Sequence, residues 1–514
     1  MRYILLSFAI VRHLEAARKR GDLNHACKKM EMSLLPMTCF VVNTFRATRL
    51  RRQIAQVGLA LACLCGTVHA ALPAPVAAEL KVAGIPPSAV GIVVQQVGKR
   101  AALIDLNSRQ AMNPASVMKL VTTWAALEML GPAHTWITKA YTQGTLADGA
   151  LHGDLIIQGG GDPKLTEEQF WLLLRQLRAR GLREIKGDLL LDHSVFAPIT
   201  QDTSFDDKPL RPYNVVPDAL LLNFKAMRLT LIPQQGQHVA FIAEPPLTDL
   251  GIVNNIHAVP GECGEWKDGL HADQFEREGH FQLALSGNYP AACGEQIWNL
   301  GVLPHRDYVG AVFRDLWREL GGTFAGVVRD GIVPADAKPI ASIESPTLAE
   351  IVRDINKYSN NVMARELFLS LAHDTPATPQ GATEAVKQWL ASKDISAPEL
   401  VLDNGAGLSR RERIAAATLA QLLLVAAASP LLPEFAASLP LAAVDGTMKK
   451  RLTGDGIAGH AHIKTGTLDG IKTMAGYVQD AHGREMIVVF FVNHANAQRA
   501  RAAQDALLHW VYRR

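Results

Sequence analysis

Asn113-Pro114-Ala115-Ser116-Val117-Met118-Lys119-Leu120 places a hydroxyl and an amine three residues apart at the head of an apolar run. Proline just ahead of Val117, Leu120, Val121, Trp124, Ala125, Leu127, Met129 and Leu130 predicts a helix start, and apolar residues around most of the circumference predict burial. Ser116 and Lys119 then share one helical face, with Thr123 a turn further on. A serine in the first turn also holds its own N–H at the positive end of the helix dipole, where a developing oxyanion is stabilised. A serine hydroxyl becomes a useful nucleophile when a neighbouring base takes its proton, and lysine serves as that base once burial lowers its pKa. S-x-x-K also arises by chance, and the plain alternative is a lysine that snorkels from a core helix. The pair needs partners elsewhere in the chain.

Two segments offer them. Lys357-Tyr358-Ser359-Asn360-Asn361 falls in a turn between two helical runs. The Ser359 hydroxyl can relay a proton there, and the Asn361 amide can bond Lys119 or a substrate carbonyl. Both residue types are also ordinary choices at helix ends. The second segment, His462-Ile463-Lys464-Thr465-Gly466-Thr467-Leu468-Asp469-Gly470, directly precedes a C-terminal hairpin. On an edge strand, Lys464, Thr465, Gly466 and Thr467 supply a cation, hydroxyls and close backbone access for an extended peptide ending in a carboxylate. A polar edge strand with a protective lysine is the competing account.

With 514 residues, 48% of them hydrophobic, the chain is globular and long enough to bury more than one core. Its net charge of +3 comes from interspersed charges of both signs, which argues against a nucleic-acid footprint. Arg46, Arg49, Arg51 and Arg52 precede an apolar run near Val57–Val68, and Val68-His69-Ala70 before Ala71 has the form of a secretory cleavage site. The run is short for a bilayer span, which favours cleavage near Ala70-Ala71 and a periplasmic product. Lipidation at Cys63 is the alternative, and peripheral membrane association is compatible with either. Residues 1–45 look unlike a targeting segment and fit a start codon called too early. Four of the six cysteines fall in the presequence, leaving Cys263 and Cys293. In an oxidising compartment that pair is most simply a disulfide, with two unrelated buried thiols as the alternative. No C-x-x-C or clustered histidine spacing accompanies them, so neither metal nor cofactor is expected.

Between the ends the pattern changes. A short helix over Ala74–Val82 and two strand-like runs through Val90–Val94 and Ala101–Asp105 lead into the Ser116 helix. Thr473–Gln479, Met486–Val492 and a helix over Asn496–Tyr512 mirror them, so one antiparallel sheet is expected from both chain ends. Gly144–Phe196 reads as strand, loop, helix, strand. Its Gly159-Gly160-Gly161-Asp162-Pro163 lacks the lysine of a phosphate loop and reads as a turn. Leu220 to about Asp330 reads as a β-rich insertion. Helices resume after Ser345-Pro346, and another covers Leu419–Ala428.

S-x-x-K, S-x-N and K-T-G in that order form the signature of active-site-serine penicillin-binding proteins and related β-lactamases. With the export signal, the long insertion, Asp403-Asn404-Gly405-Ala406-Gly407-Leu408-Ser409-Arg410 and Val444-Asp445-Gly446-Thr447-Met448, the chain after Ala71 resembles the class C low-molecular-mass penicillin-binding proteins, the D-alanyl-D-alanine carboxypeptidase/endopeptidase family. Asn404 and Ala406 depart from the D-G-S-G-L-S-R usual there, which bears on the local turn. The resemblance implies an α/β (α+β) fold: a transpeptidase-like domain (71–140 and 336–514) with an antiparallel sheet flanked by helices, interrupted by one or two inserted domains (141–335). It implies Ser116 as nucleophile, Lys119 as general base, Ser359 and Asn361 as proton relay and substrate ligand, and Lys464, Thr465, Gly466 and Thr467 as the carboxylate-binding strand. Ser116 and Thr467 N–H groups would form the oxyanion hole. Peptidoglycan stem peptides are then the substrates and β-lactams the inhibitors. A β-lactamase or esterase on the same scaffold, and a non-catalytic peptidoglycan-binding protein, are the alternatives.

Overall fold

The five strands nearest the chain ends form one antiparallel sheet, in the order Ala461–Leu468, Ile471–Gln479, Glu485–Asn493, Val90–Gln96, Ala102–Leu106. Val90 pairs with Val492 and Gln96 with Met486, so the two ends of the chain meet at its centre as expected. The structure is a computed structural model that describes residues 72–200, 205–454 and 456–514. The arginine-led apolar segment, the Ala70-Ala71 site and Cys27, Cys39, Cys63 and Cys65 lie outside the described residues.

The Glu485–Asn493 strand is apolar at every interior position because both of its faces are covered. Successive side chains point to opposite faces. Ile487, Val489 and Phe491 enter a core with the helices Lys119–Leu130, Leu348–Tyr358, Asn361–Leu369 and Ala416–Ala427. Val488, Phe490 and Val492 enter another with the terminal helices Ala74–Val82 and Arg501–Tyr512. The Ala461–Leu468 strand is the edge of this sheet, next to the Ser116 turn, and its first residues are bridged to the 440–442 segment.

The chain leaves this layer on the strand Ile137–Ala147 and returns on its antiparallel partner Lys338–Glu344. Ala150–Gln158, the helix Glu167–Ala179 and Leu189–Asp192 make the expected strand, helix, strand unit, with its two strands parallel. Gly159-Gly160-Gly161-Asp162-Pro163 is turn chemistry: the Gly161 N–H donates to the Ala219 carbonyl at 2.8 Å, and the Asp162 carboxylate accepts from the Lys164 N–H at 2.8 Å. Two three-stranded sheets follow, and Cys263 and Cys293 are joined by a disulfide between segments 30 residues apart.

Three expectations change. The Ser116 segment does not begin as an α-helix: Ala115–Met118 is a 3-10 turn, and the α-helix starts at Lys119. Ala115 opens that tighter entry in the left-handed region, at φ 46°. The β-rich stretch contains a 15-residue helix, His305–Glu319, whose Tyr308, Val309, Val312, Phe313, Leu316 and Trp317 are buried at helical spacing. Strand-like runs on both sides hid that period. The later helix starts after Thr347, which with Glu350 makes the capping box, rather than at Ser345. A further helix, Pro379–Ser392, follows.

No helix among the described residues is long and apolar enough to cross a membrane.

Candidate active site

Val117, Leu120, Val121 and Trp124 are fully buried and carry Lys119 into the core with them. The Lys119 amine donates to the Ser116 hydroxyl at 3.1 Å, to the Asn361 side-chain carbonyl at 2.5 Å and to the Ala406 carbonyl at 2.5 Å. Burial holds its pKa well below the usual 10.5; the Lys464 charge lowers it further, Glu412 raises it and Arg365 lowers it. The pair is therefore a hydroxyl beside an amine whose neutral form burial favours. Thr123 does not join it, because its hydroxyl donates to the Lys119 backbone carbonyl at 2.7 Å.

The S-x-N turn reaches the pair through an unusual backbone. Ser359 closes the helix Leu348–Tyr358 in the left-handed region at φ 57°, and Asn360 then caps the next helix, whose first residue is Asn361. The reversal turns the Ser359 hydroxyl and the Asn361 amide toward the same cleft. Lys464 meets Ser359 there, its amine donating to the hydroxyl at 2.9 Å and to the Thr465 carbonyl at 2.8 Å. Full burial lowers Lys464 to about 7. Five sequence-predicted groups thus come together by contact: Ser116, Lys119 and Asn361 in one cluster, Ser359 and Lys464 in the other.

Close packing of backbones joins the clusters. A Cβ at Gly466 would lie 2.3 Å from the Thr473 hydroxyl and 3.0 Å from the Ser116 nitrogen, so only glycine lets the edge strand approach the nucleophile turn. Thr473 holds that approach by donating to the Pro114 carbonyl at 2.6 Å. On the other side Gly407, at φ +78°, presses against the Ala115 carbonyl, which a Cβ would meet at 1.9 Å. The Ser116 N–H and the edge-strand backbone are brought to one place, as an oxyanion site requires. Thr465 and Thr467, two apart on the strand, present hydroxyls on one face, and Thr465 bonds the Thr447 hydroxyl at 2.8 Å.

Several contributing residues were not singled out in the sequence. Glu412 is fully buried, and one carboxylate oxygen accepts the N–H groups of Asp403, Asn404 and Gly405 at 3.2, 3.0 and 3.0 Å. Burial pushes its pKa up while those three donors oppose the shift. Glu412 thereby holds the loop whose Ala406 carbonyl receives Lys119. Within Arg411-Glu412-Arg413 it reads as one more surface charge, so no local signal marks it. Asn404 closes the same turn, its amide accepting from the Ala406 N–H at 3.0 Å and donating to the Leu408 carbonyl at 2.9 Å. The two departures from D-G-S-G-L-S-R thus leave an ordered turn. Asn113 and Asn493 exchange bonds of 2.8 and 3.0 Å that tie the nucleophile turn to the central strand. Lys357 pairs with Asp445 at 2.7 Å, linking the S-x-N helix to the Thr447 loop.

Beside the 403–411 loop opens a cavity of about 460 Å³, lined among others by Phe205, Arg365, Phe368, Asp403 and Arg410. Among the described residues no three His, Cys, Asp or Glu side chains cluster as a metal site.

The comparisons with known proteins agree with this geometry. Residues 72–514 match the D-Ala-D-Ala carboxypeptidase 3 (S13) family. The chain is similar to the D-alanyl-D-alanine carboxypeptidase of Actinomadura sp. (strain R39), 28% identical over 506 residues that cover 95% of this chain and 90% of that protein. It is also similar to the D-alanyl-D-alanine carboxypeptidase DacB of Haemophilus influenzae, 27% identical over 436 residues, 79% of this chain and 85% of that one. The fold is similar to the crystal structure of penicillin binding protein 4 from Haemophilus influenzae, with a TM-score of 0.73 at 25% identity, over 85% of this chain and 99% of that chain. A crystal structure of the same protein complexed with a β-lactam gives a TM-score of 0.69. A match across almost all of the described residues, on a fold that brings the three motif segments to one cleft, establishes that the chain belongs to the D-Ala-D-Ala carboxypeptidase 3 (S13) family.

Proposed function

We propose that Ser116 is the nucleophile of a serine-type D-alanyl-D-alanine carboxypeptidase that acts on peptidoglycan stem peptides. The observation that carries this reading is the 3.1 Å contact between the Ser116 hydroxyl and a fully buried Lys119 amine. A neutral amine there takes the hydroxyl proton as Ser116 attacks the carbonyl of the penultimate D-alanine. The oxyanion lies against the N–H groups of Ser116 and Thr467. Asn361 holds the Lys119 amine on one side and meets the acyl donor on the other. Ser359, bonded to Lys464, passes a proton to the departing amine. Water then hydrolyses the acyl-enzyme. A D-alanyl-diaminopimelate cross-link presents the same kind of bond, so the site is suited to endopeptidase cleavage as well. The Arg365- and Arg410-lined cavity beside the 403–411 loop supports a donor side chain that carries a carboxylate. β-Lactams acylate Ser116 by the same attack, and the enzyme works outside the cytoplasm after export.

Labelled penicillin and cross-linked muropeptides test this. Wild type takes up one label per chain and shortens the muropeptides by D-alanine or opens the cross-link, as read by mass; Ser116→Ala does neither. A protein that is not acylated, or an alanine variant labelled as strongly as wild type, overturns the reading.

A further inference from the structure

The carboxylate that ends a D-Ala-D-Ala stem needs a cation, and Lys464 is poorly placed to be it. Its amine is wholly buried, and two of its three N–H groups are spent on the Ser359 hydroxyl and the Thr465 carbonyl. The groups of this strand that do face outward are the Thr465 and Thr467 hydroxyls, which are uncharged. A charge for them comes from the neighbouring strand. Lys472 sits directly across from Thr467 in the antiparallel register, on the same face of the sheet, half-buried, with its amine donating to the Thr467 hydroxyl at 3.0 Å.

The surroundings of Lys472 leave its charge available. The nearby acid, Asp505, is taken by Arg451 at 3.0 and 2.5 Å and by Arg501 at 3.8 Å. Arg501 also donates to the Lys450 carbonyl. Among the described residues no carboxylate pairs with Lys472. Burial and the two arginines favour its neutral form while Asp505 favours the ammonium. An incoming carboxylate supplies the missing countercharge. When Thr467 accepts from Lys472, its own O–H stays available to donate, and the ammonium keeps two further N–H groups.

We propose that Lys472 is the substrate-binding cation of the leaving-group subsite, where its ammonium and the Thr465 and Thr467 hydroxyls grip the C-terminal carboxylate of the residue released. This rests on the D,D-peptidase reading. It makes Lys472 a specificity-determining residue: it selects scissile bonds whose leaving residue carries a free carboxylate. It has no part in the attack by Ser116.

The test compares kcat/KM on an N-acyl-D-alanyl thioester of thioglycolate, which keeps the carboxylate, with the same thioester capped as an amide. Loss of a charge-assisted contact predicts that Lys472→Met falls about 10- to 100-fold on the free acid and less than about 3-fold on the amide. Lys472→Arg restores the acid-to-amide preference. The proposal is overturned if Lys472→Met keeps the wild-type preference, or loses both substrates equally, as a merely structural role would give. Wild type that cleaves neither thioester and is not labelled by penicillin sinks the D,D-peptidase reading itself, a separate result.

Discussion

The two walls of the cleft treat their lysines in opposite ways. On the helical wall Lys119 is enclosed by the Ser116 turn, the S-x-N turn and the Glu412-held loop, and its amine contacts the oxygens of Ser116, Asn361 and Ala406. On the strand wall burial fades along the sheet, from Lys464 at the inner end to exposed Thr467 and half-buried Lys472 at the outer end. Burial disfavours the charged form of an amine, so the inner groups suit proton transfer and the outer one suits holding an anion. One residue type is thus suited to be a base or a ligand according to how much water it keeps.

Removing the enclosed amine breaks this contrast most severely. Lys119→Met leaves the Ser116 hydroxyl without its base, and the rate of penicillin acylation, followed by stopped-flow labelling, falls by about 10²- to 10⁴-fold. An acylation rate within a factor of about three of wild type would remove the base role.

A second prediction concerns stability. Lys464, lowered from 10.5 to about 7, is charged in the unfolded chain at pH values where it is neutral when folded. The unfolded state then binds more protons, so this group's contribution to stability rises with pH between about 7 and 10.5 and is lowest below that window. Lys464→Met removes the dependence, and its stability relative to wild type, from urea titrations at pH 6 and pH 9.5, is higher at the lower pH. A difference independent of pH would place the charge elsewhere.

The smallest effect sharpens the helical side. Glu412→Gln keeps an oxygen for the three backbone donors but removes the anion that raises the Lys119 pKa. The neutral amine is then populated at lower pH, and the acidic limb of the acylation profile moves down, with the plateau rate changed by less than about 10-fold. A limb that stays in place would make Glu412 a loop anchor alone.

Much of the site could be read from residue order because S-x-x-K, S-x-N and K-T-G each carry their geometry locally. Three residues on a helical entry bring Ser116 to Lys119, and a turn between helices exposes Ser359 and Asn361. The edge strand followed from the glycine and threonines of Lys464-Thr465-Gly466-Thr467. Glu412 and Lys472 were not legible, since their roles depend on what lies across from them. Glu412 sits in a charged triplet that looks solvated, and its partners are backbone N–H groups of another turn. Lys472 becomes a ligand only through the cross-strand register with Thr467. The helix His305–Glu319 was missed for a different reason: its period was present but was outweighed by the strand-like runs on either side.

Residue order alone pointed to the three motif segments and to one sheet shared by both chain ends, because helical and strand periods and the motif spacings are short-range properties. How strongly each of three lysines is disfavoured as a cation was decided only by tertiary structure. Desolvation depends on every segment packed around an amine, and those segments come from positions as far apart as Ser116, Glu412 and Lys464.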